Sequence, residues 1–255
     1  MNVLSHHTSV PLSHLPVPEG PLAGLLAAAR DRLSAQAAAR GVTLSVEADM
    51  HALLRVNEAA VAAGSWEPIL PAANPLCRAL SPANAFWIRG RDAAGDTVTA
   101  QAGLLYDCTA RSIAARFDDM TVFYDRPAEQ APAEEWCRCT SAVARETKGW
   151  VVWTTGGWTR PDFRRRGLFA VMHRAAVLAG WLRWQPDCFT GVVDPDIVPV
   201  WDERIMGPRH LDPEPTIAYR QAGLGMLPMH FMLFRRAHMF GDLAEVVSHG
   251  MALAA

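Results

Sequence analysis

The sequence predicts an α/β fold of the α+β kind, a sheet flanked by helices. Three observations carry this expectation. First, an alternating run at 42–46 precedes a helical face made by Met50, Leu53, Leu54, Asn57, Val61 and Gly64. Second, β-rich runs at 86–89 and 97–106 are joined by Asp92-Ala93-Ala94-Gly95-Asp96, which has the chemistry of a hairpin turn. Third, a compact β run at 150–155 is followed by one amphipathic helix and then by a second β run at 188–193. That order predicts two parallel strands joined by a right-handed crossover.

Composition sets the limits. The chain has 255 residues, half of them hydrophobic and a fifth charged, which is enough to bury a sizeable core and excludes a wholly disordered chain. A formal charge of −2 argues against general attraction to nucleic acid or to an anionic membrane. No apolar run approaches the ~20 residues that span a bilayer, and the first residues lack the basic and apolar regions of a signal peptide. A cytoplasmic protein is expected. The five cysteines are odd in number and scattered, and read as buried free thiols. Cys137 and Cys139, two apart on an expected helix, make a poor metal clamp, and the nine histidines show no metal spacing.

The remaining elements follow in order. Residues 1–20, with Pro11, Pro16, Pro18 and Gly20, read as an irregular arm. Residues 22–40 read as a helix stopped by Gly41. Asp49 offers the N-cap of the next helix. The proline-rich stretch 65–84 is expected to hold a short helix at 76–80. Residues 120–124 read as a strand. Residues 132–147 read as a helix, with Pro132 in its first turn and Glu134 and Glu135 favourably placed against its dipole. A further helix is expected at 197–206, stopped by Gly207. The organisation is an arm and helix at 1–41, a main domain at 42–240 with an elaboration at 111–147, and a tail at 241–255.

Chemistry concentrates after the 150–155 run. The chain continues Gly156-Gly157-Trp158-Thr159-Arg160-Pro161-Asp162-Phe163-Arg164-Arg165-Arg166-Gly167-Leu168-Phe169. It then enters a helix with Leu168, Val171, Met172, Ala175, Leu178, Ala179 and Leu182 on one face. The first N–H groups of a helix lack internal partners and stand at the positive end of its dipole, so they suit an anion, above all a phosphate. Gly167 lets a phosphate approach the backbone, and Arg164, Arg165 and Arg166 add positive charge. Glycines inside a strand, here Gly156 and Gly157, mark a bulge or a close backbone approach, or else a plain turn.

Residues 161–169 resemble the acetyl-CoA loop of the GCN5-related N-acetyltransferases. Pro161, Phe163, Arg164 and Gly167 match that family's pattern, and Phe169 stands where the family has Gly or Ala. The resemblance implies a mixed, mostly antiparallel sheet flanked by helices, with two splayed parallel strands at its centre. It implies acetyl-CoA, or another acyl-CoA, as co-substrate, without a metal. The contacts would come from Gly157, Trp158, Thr159, Arg164, Arg165, Arg166, Gly167, Leu168 and Phe169. The reaction would be direct acyl transfer to a small-molecule or peptide amine. Tyr219, in Tyr219-Arg220-Gln221-Ala222-Gly223-Leu224, resembles the family's tyrosine and is the candidate general acid, although Pro208, Pro213 and Pro215 before it also fit a later strand. The 150–155 run holds no carboxylate, so the amine proton would pass to water or to Asp118, Asp119, Asp194 or Asp196. Seven of the nine tryptophans fall between Trp136 and Trp201, which fits core packing, a homodimer contact or an aromatic wall for an apolar ligand. The alternative function is an inert acyl-CoA-binding or regulatory module, or a structural dimer, keeping the same fold.

Overall fold

A computed structural model describes residues 9–201 and 206–249. The strands in chain order are β1 (Ser9–Pro11), β2 (Thr43–Glu47), β3 (Ala85–Arg91), β4 (Thr97–Cys108), β5 (Trp136–Cys139), β6 (Gly149–Thr159), β7 (Cys188–Val193), β8 (His210–Leu211), β9 (Ile217–Gln221) and β10 (Gly225–Arg235). The helices are α1 (Ala23–Ala38), α2 (Met50–Ala62), α3 (Ile113–Asp118), α4 (Pro127–Gln130), α5 (Ala142–Glu146), α6 (Leu168–Trp184) and α7 (Arg236–His249).

The sheet runs in the order β1-β2-β3-β4-β6-β7-β10-β9-β5, with β8 on β10. All its pairings are antiparallel except β6 with β7. Two apolar layers cover its faces. One joins α1, α6 and α7 to the sheet through residues such as Leu33, Val171, Leu178 and Leu243. The other lies under α2 and α3 and includes Leu53, Trp87, Phe117, Trp153 and Phe231. Helix α6 is buried almost all round, so its small residues matter: a Cβ on Gly180 would come within 2.8 Å of the Phe189 ring.

Strongly patterned elements stand where the sequence places them. Asp49 caps α2 by accepting from the Ala52 N–H. Gly41, at φ +76°, turns the chain out of α1. The structure also corrects several expectations. The arm includes β1, which pairs with β2 at the sheet edge, and the N-terminal residues 1–8, including His6 and His7, lie outside the described residues. Residues 75–77 form a turn and 78–80 are irregular, and the short helical turn falls at Pro71–Ala73 instead. The expected strand at 120–124 is also a turn, entered through Met120 at φ +64°.

The expected helix at 132–147 divides into β5 and α5. In β5 Cys137 and Cys139 face the core while Trp136 and Arg138 face out, so pairing with β9 overrides local helix propensity. Both thiols are free and buried. The first part of the expected 197–206 helix is a 3-10 helix at Pro195–Trp201, Met206 is helical, and 202–205 lie outside the described residues. Helix α1 packs on α6 and α7, β1 joins the sheet, and α7 continues through 241–249.

Candidate functional site

Strands β6 and β7 pair only from Val151 to Trp153 against Cys188 to Thr190. Beyond that point the two strands run on to Thr159 and Val193 without further pairing, so they splay. The divergence coincides with a bulge on the other edge of β6. Ala100 opposes Trp158 and Ala102 opposes Thr155, which leaves Gln101 facing both Gly156 and Gly157. Gly156 takes φ +62°, a conformation that suits glycine.

A cavity of about 380 Å³ fills the splay. It passes between both apolar layers. Phe169, Val193, Trp201 and Met232 wall it on the α6 side, and Trp66, Ile69, Leu227 and Met229 on the other. The Phe169 ring packs edge-on against Trp201 at 5.1 Å and lies 3.7 Å from where a Cβ on Gly157 would stand. The bulky residue at the loop's last position therefore turns into the cavity, away from the start of the helix.

The loop itself is tightly built. Gly167 is the N-cap of α6 at φ +68°, and no side chain caps the helix. Arg165 is also left-handed, at φ +61°. The three adjacent arginines have different partners. Arg164 donates to the carbonyls of Thr159 and Ser65. Arg166 donates to the Asp162 carbonyl and lies 4.2 Å over the Phe163 ring. Arg165 is exposed and has no hydrogen-bond or ion-pair partner among the described residues. Arg160 is occupied by Asp162 and Asp92, and the hydrogen bond from Arg160 holds the Asp162 carboxyl below the usual carboxylate range.

Two contributions come from far away in the chain. Arg40, just past α1, donates from Nε to the Arg166 carbonyl at 2.6 Å and places its guanidinium beside Gly167. Burial lowers its pKa from the ordinary arginine value. Residues 66–70 form a wall of the cavity. The Ser65 carbonyl accepts from both Arg164 and the Trp158 indole, and Trp66 stacks on Trp158 at 5.1 Å. Asn57 of α2 fixes the same wall, donating to the Glu67 carbonyl and accepting from the Ile69 N–H. A buried asparagine on the apolar face of a helix is the one sequence signal that marks this wall. Nothing in the sequence flags Arg40, Gln101 or Gln221.

Gly157, Trp158, Thr159, Arg164, Arg165, Arg166, Gly167, Leu168 and Phe169 thus gather at one junction of β6 and α6, with Leu168 buried in the core beneath it. Tyr219 does not join them. It lies fully buried on β9, stacks on Phe123 at 4.2 Å and donates to Glu135 at 2.8 Å, and it is not among the described residues lining the cavity. Burial, with the Glu135 carboxylate beside it, pushes its pKa far above the ordinary tyrosine value. Of the four aspartates considered as bases, Asp194 alone borders the cavity. Asp118 accepts from the Cys139 N–H, Asp119 pairs with Arg111, and Asp196 lies in the 3-10 turn. Glu67 is a second bordering carboxylate. Among the described residues no cluster of three His, Cys, Asp or Glu side chains is placed to hold a metal, and no helix is long and apolar enough to cross a membrane.

No protein-family model matches the chain, and no curated protein matches it. Similar solved structures include one assigned as a ribosomal-protein-serine acetyltransferase from Vibrio cholerae, at 16% identity and a TM-score of 0.32, over 60% of this chain and 65% of that one. Another is a GCN5-related N-acetyltransferase from Kribbella flavida, at 16% identity and a TM-score of 0.29, over 92% of this chain and 58% of that one. The chain spans less than two thirds of the length of either. Likenesses this slight carry neither fold nor activity. The fold is described by the strand order, the splay and the loop of this chain.

Proposed function

We propose that this chain is an acyl-CoA-dependent N-acyltransferase that moves an acetyl group to an amine by direct attack. The observation that carries the reading is the splay of β6 from β7. It opens a cavity through the sheet beside the uncapped first turn of α6. The uncapped N–H groups and Arg165 suit a pyrophosphate, and the unpaired facing edges of β6 and β7 suit the amides of a pantetheine arm. The co-substrate supplies an activated thioester carbonyl.

The chain's own part is placement and charge. The β6 backbone beyond Trp153 is free on its β7 side to donate to the developing oxyanion. The cavity walls hold amine and carbonyl at reacting distance. A C–N bond forms, the C–S bond breaks, the amine loses a proton and the sulfur gains one. Glu67 and Asp194 border the cavity and give the amine proton a route to solvent. Tyr219 has no part in this route.

Calorimetry with acetyl-CoA, followed by an assay of CoA thiol release on adding primary amines, tests the reading. Saturable binding and amine-dependent release are expected. Binding without release for any amine makes the chain an inert acyl-CoA module. Absence of binding overturns the reading.

A further inference from the structure

The two sides of the cavity differ in chemistry. On the reading above, the co-substrate enters along α6, which leaves the side walled by Trp66, Ile69, Leu227 and Met229 for the acceptor. Gln221 ends β9 on that side and is only 9% exposed. Its Oε1 is buried without a hydrogen-bond partner among the described residues. A buried acceptor left without a donor costs about 1–3 kcal/mol, and a ligand N–H removes that cost. Charge points the same way. No Lys, Arg or His is among the described lining residues, and the two charged ones, Glu67 and Asp194, are both carboxylates. An acceptor carboxylate or phosphate would lose water in apolar surroundings and meet no cation among the described lining residues. A protonated amine meets carboxylates at the rim, then apolar walls and two unfilled acceptors, Gln101 Oε1 of β4 and Gln221 Oε1, of which Gln221 shares its β9 face with Ile217 and Tyr219 of the layer under α2 and α3.

We propose that the acceptor is a primary amine on an apolar body of aromatic-ring size, without a carboxylate or phosphate, and that its amine N–H donates to Gln221 Oε1. A cavity of about 380 Å³ takes such a ring beside the acyl end. The flat face of Trp66, fixed by stacking on Trp158, is the ring's platform. The hydrogen bond to Gln221 holds the amine with its lone pair toward the splay. Gln221 is therefore a substrate-binding residue that orients the nucleophile.

The test compares 2-phenylethylamine and tryptamine with phenylalanine and tryptophan, which carry the same rings and a carboxylate, at fixed acetyl-CoA. The expected result is a kcat/KM at least tenfold higher for the two amines. Gln221→Leu is expected to raise KM for 2-phenylethylamine about tenfold, with the acetyl-CoA affinity by calorimetry unchanged. Gln221→Glu keeps an acceptor oxygen and is expected to recover part of the loss. Equal or better use of the amino acids overturns the proposal, as does an unchanged KM in Gln221→Leu. Acetyl-CoA binding with no turnover of either amine overturns it while leaving acyl-CoA binding in place. Loss of acetyl-CoA binding in the wild-type protein removes both.

Discussion

Tyr219 and Glu135 show how a residue's surroundings decide its role. Glu135 accepts from the hydroxyls of Tyr219 and Tyr124 through one oxygen and from the Ala222 N–H through the other. One carboxylate thus ties β9, the turn after it and the 120–124 segment together. A tyrosine in a Tyr-x-x-x-Gly setting was legible in the sequence, but its partner 84 positions upstream was not. Tyr219→Phe removes a hydrogen bond to a charged group and is expected to cost about 1.5–3 kcal/mol of stability. The kcat for amine acetylation should stay within about twofold. Denaturant melts alongside steady-state kinetics check both, and a large fall in kcat with unchanged stability would return Tyr219 to the chemistry. At the loop, the legible residue was Gly167, and the structure adds its reason. At φ +68° it turns the chain into α6 without a side-chain cap. The arginines beside it look equivalent in sequence, yet Arg164 and Arg166 are spent on backbone carbonyls and Arg165 is not.

Helix α6 shows what an element's pattern tells and what it hides. Its apolar spacing gives its bounds, but thirteen of its seventeen residues are buried, so the polar ones on it are core residues too. Arg174 meets Asp242 of α7 through a bidentate pair. His173 packs between Trp201 and Phe234, and neither ring nitrogen has a partner among the described residues. Burial, helped by Arg174 and Arg209, lowers its pKa from 6.5 to about 3. Between those values the unfolded chain binds a proton that the folded chain refuses. The stability is whole above about pH 6.5 and falls as the pH drops toward 3, by up to about 1.4 kcal/mol per pH unit. Urea melts at pH 7, 6 and 5 should show this loss, and His173→Phe should flatten it. An identical pH slope in the variant would show that other groups carry it. The same contrast explains the misread element at 132–147. Its alanines, glutamates and arginines favour a helix locally, whereas Cys137 and Cys139 are taken into the core by pairing with β9, which lies about 80 residues further on.

Across the whole molecule, the N-terminal helix is joined to the candidate site. Arg40 and Arg166 lie 126 positions apart, and one guanidinium spans from the Gln36 carbonyl at the end of α1 to the Arg166 carbonyl at the loop. No local pattern foretells such a contact, because it exists only once α1 has packed on α6. It holds the loop from outside in the shape that presents the α6 N–H groups, so it should act on ligand affinity more than on the free fold. A ligand bound only by the folded chain adds about 2.7 kcal/mol at 100 times its Kd. For a chain of this size, 1 kcal/mol moves Tm by roughly 2–4 °C, so acetyl-CoA at that level should raise the wild-type Tm by roughly 5–11 °C. Arg40 lies partly exposed, and Arg40→Ala alone should lower the ligand-free Tm by no more than roughly 2–4 °C. If the loop loses its shape, affinity falls by about tenfold, or about 1.4 kcal/mol, and the acetyl-CoA shift should shrink by roughly 3–6 °C at the same ligand concentration. Thermal melts of both proteins with and without acetyl-CoA measure this. A variant whose ligand-induced shift equals that of the wild type would show that α1 supports the fold without setting the geometry of the loop.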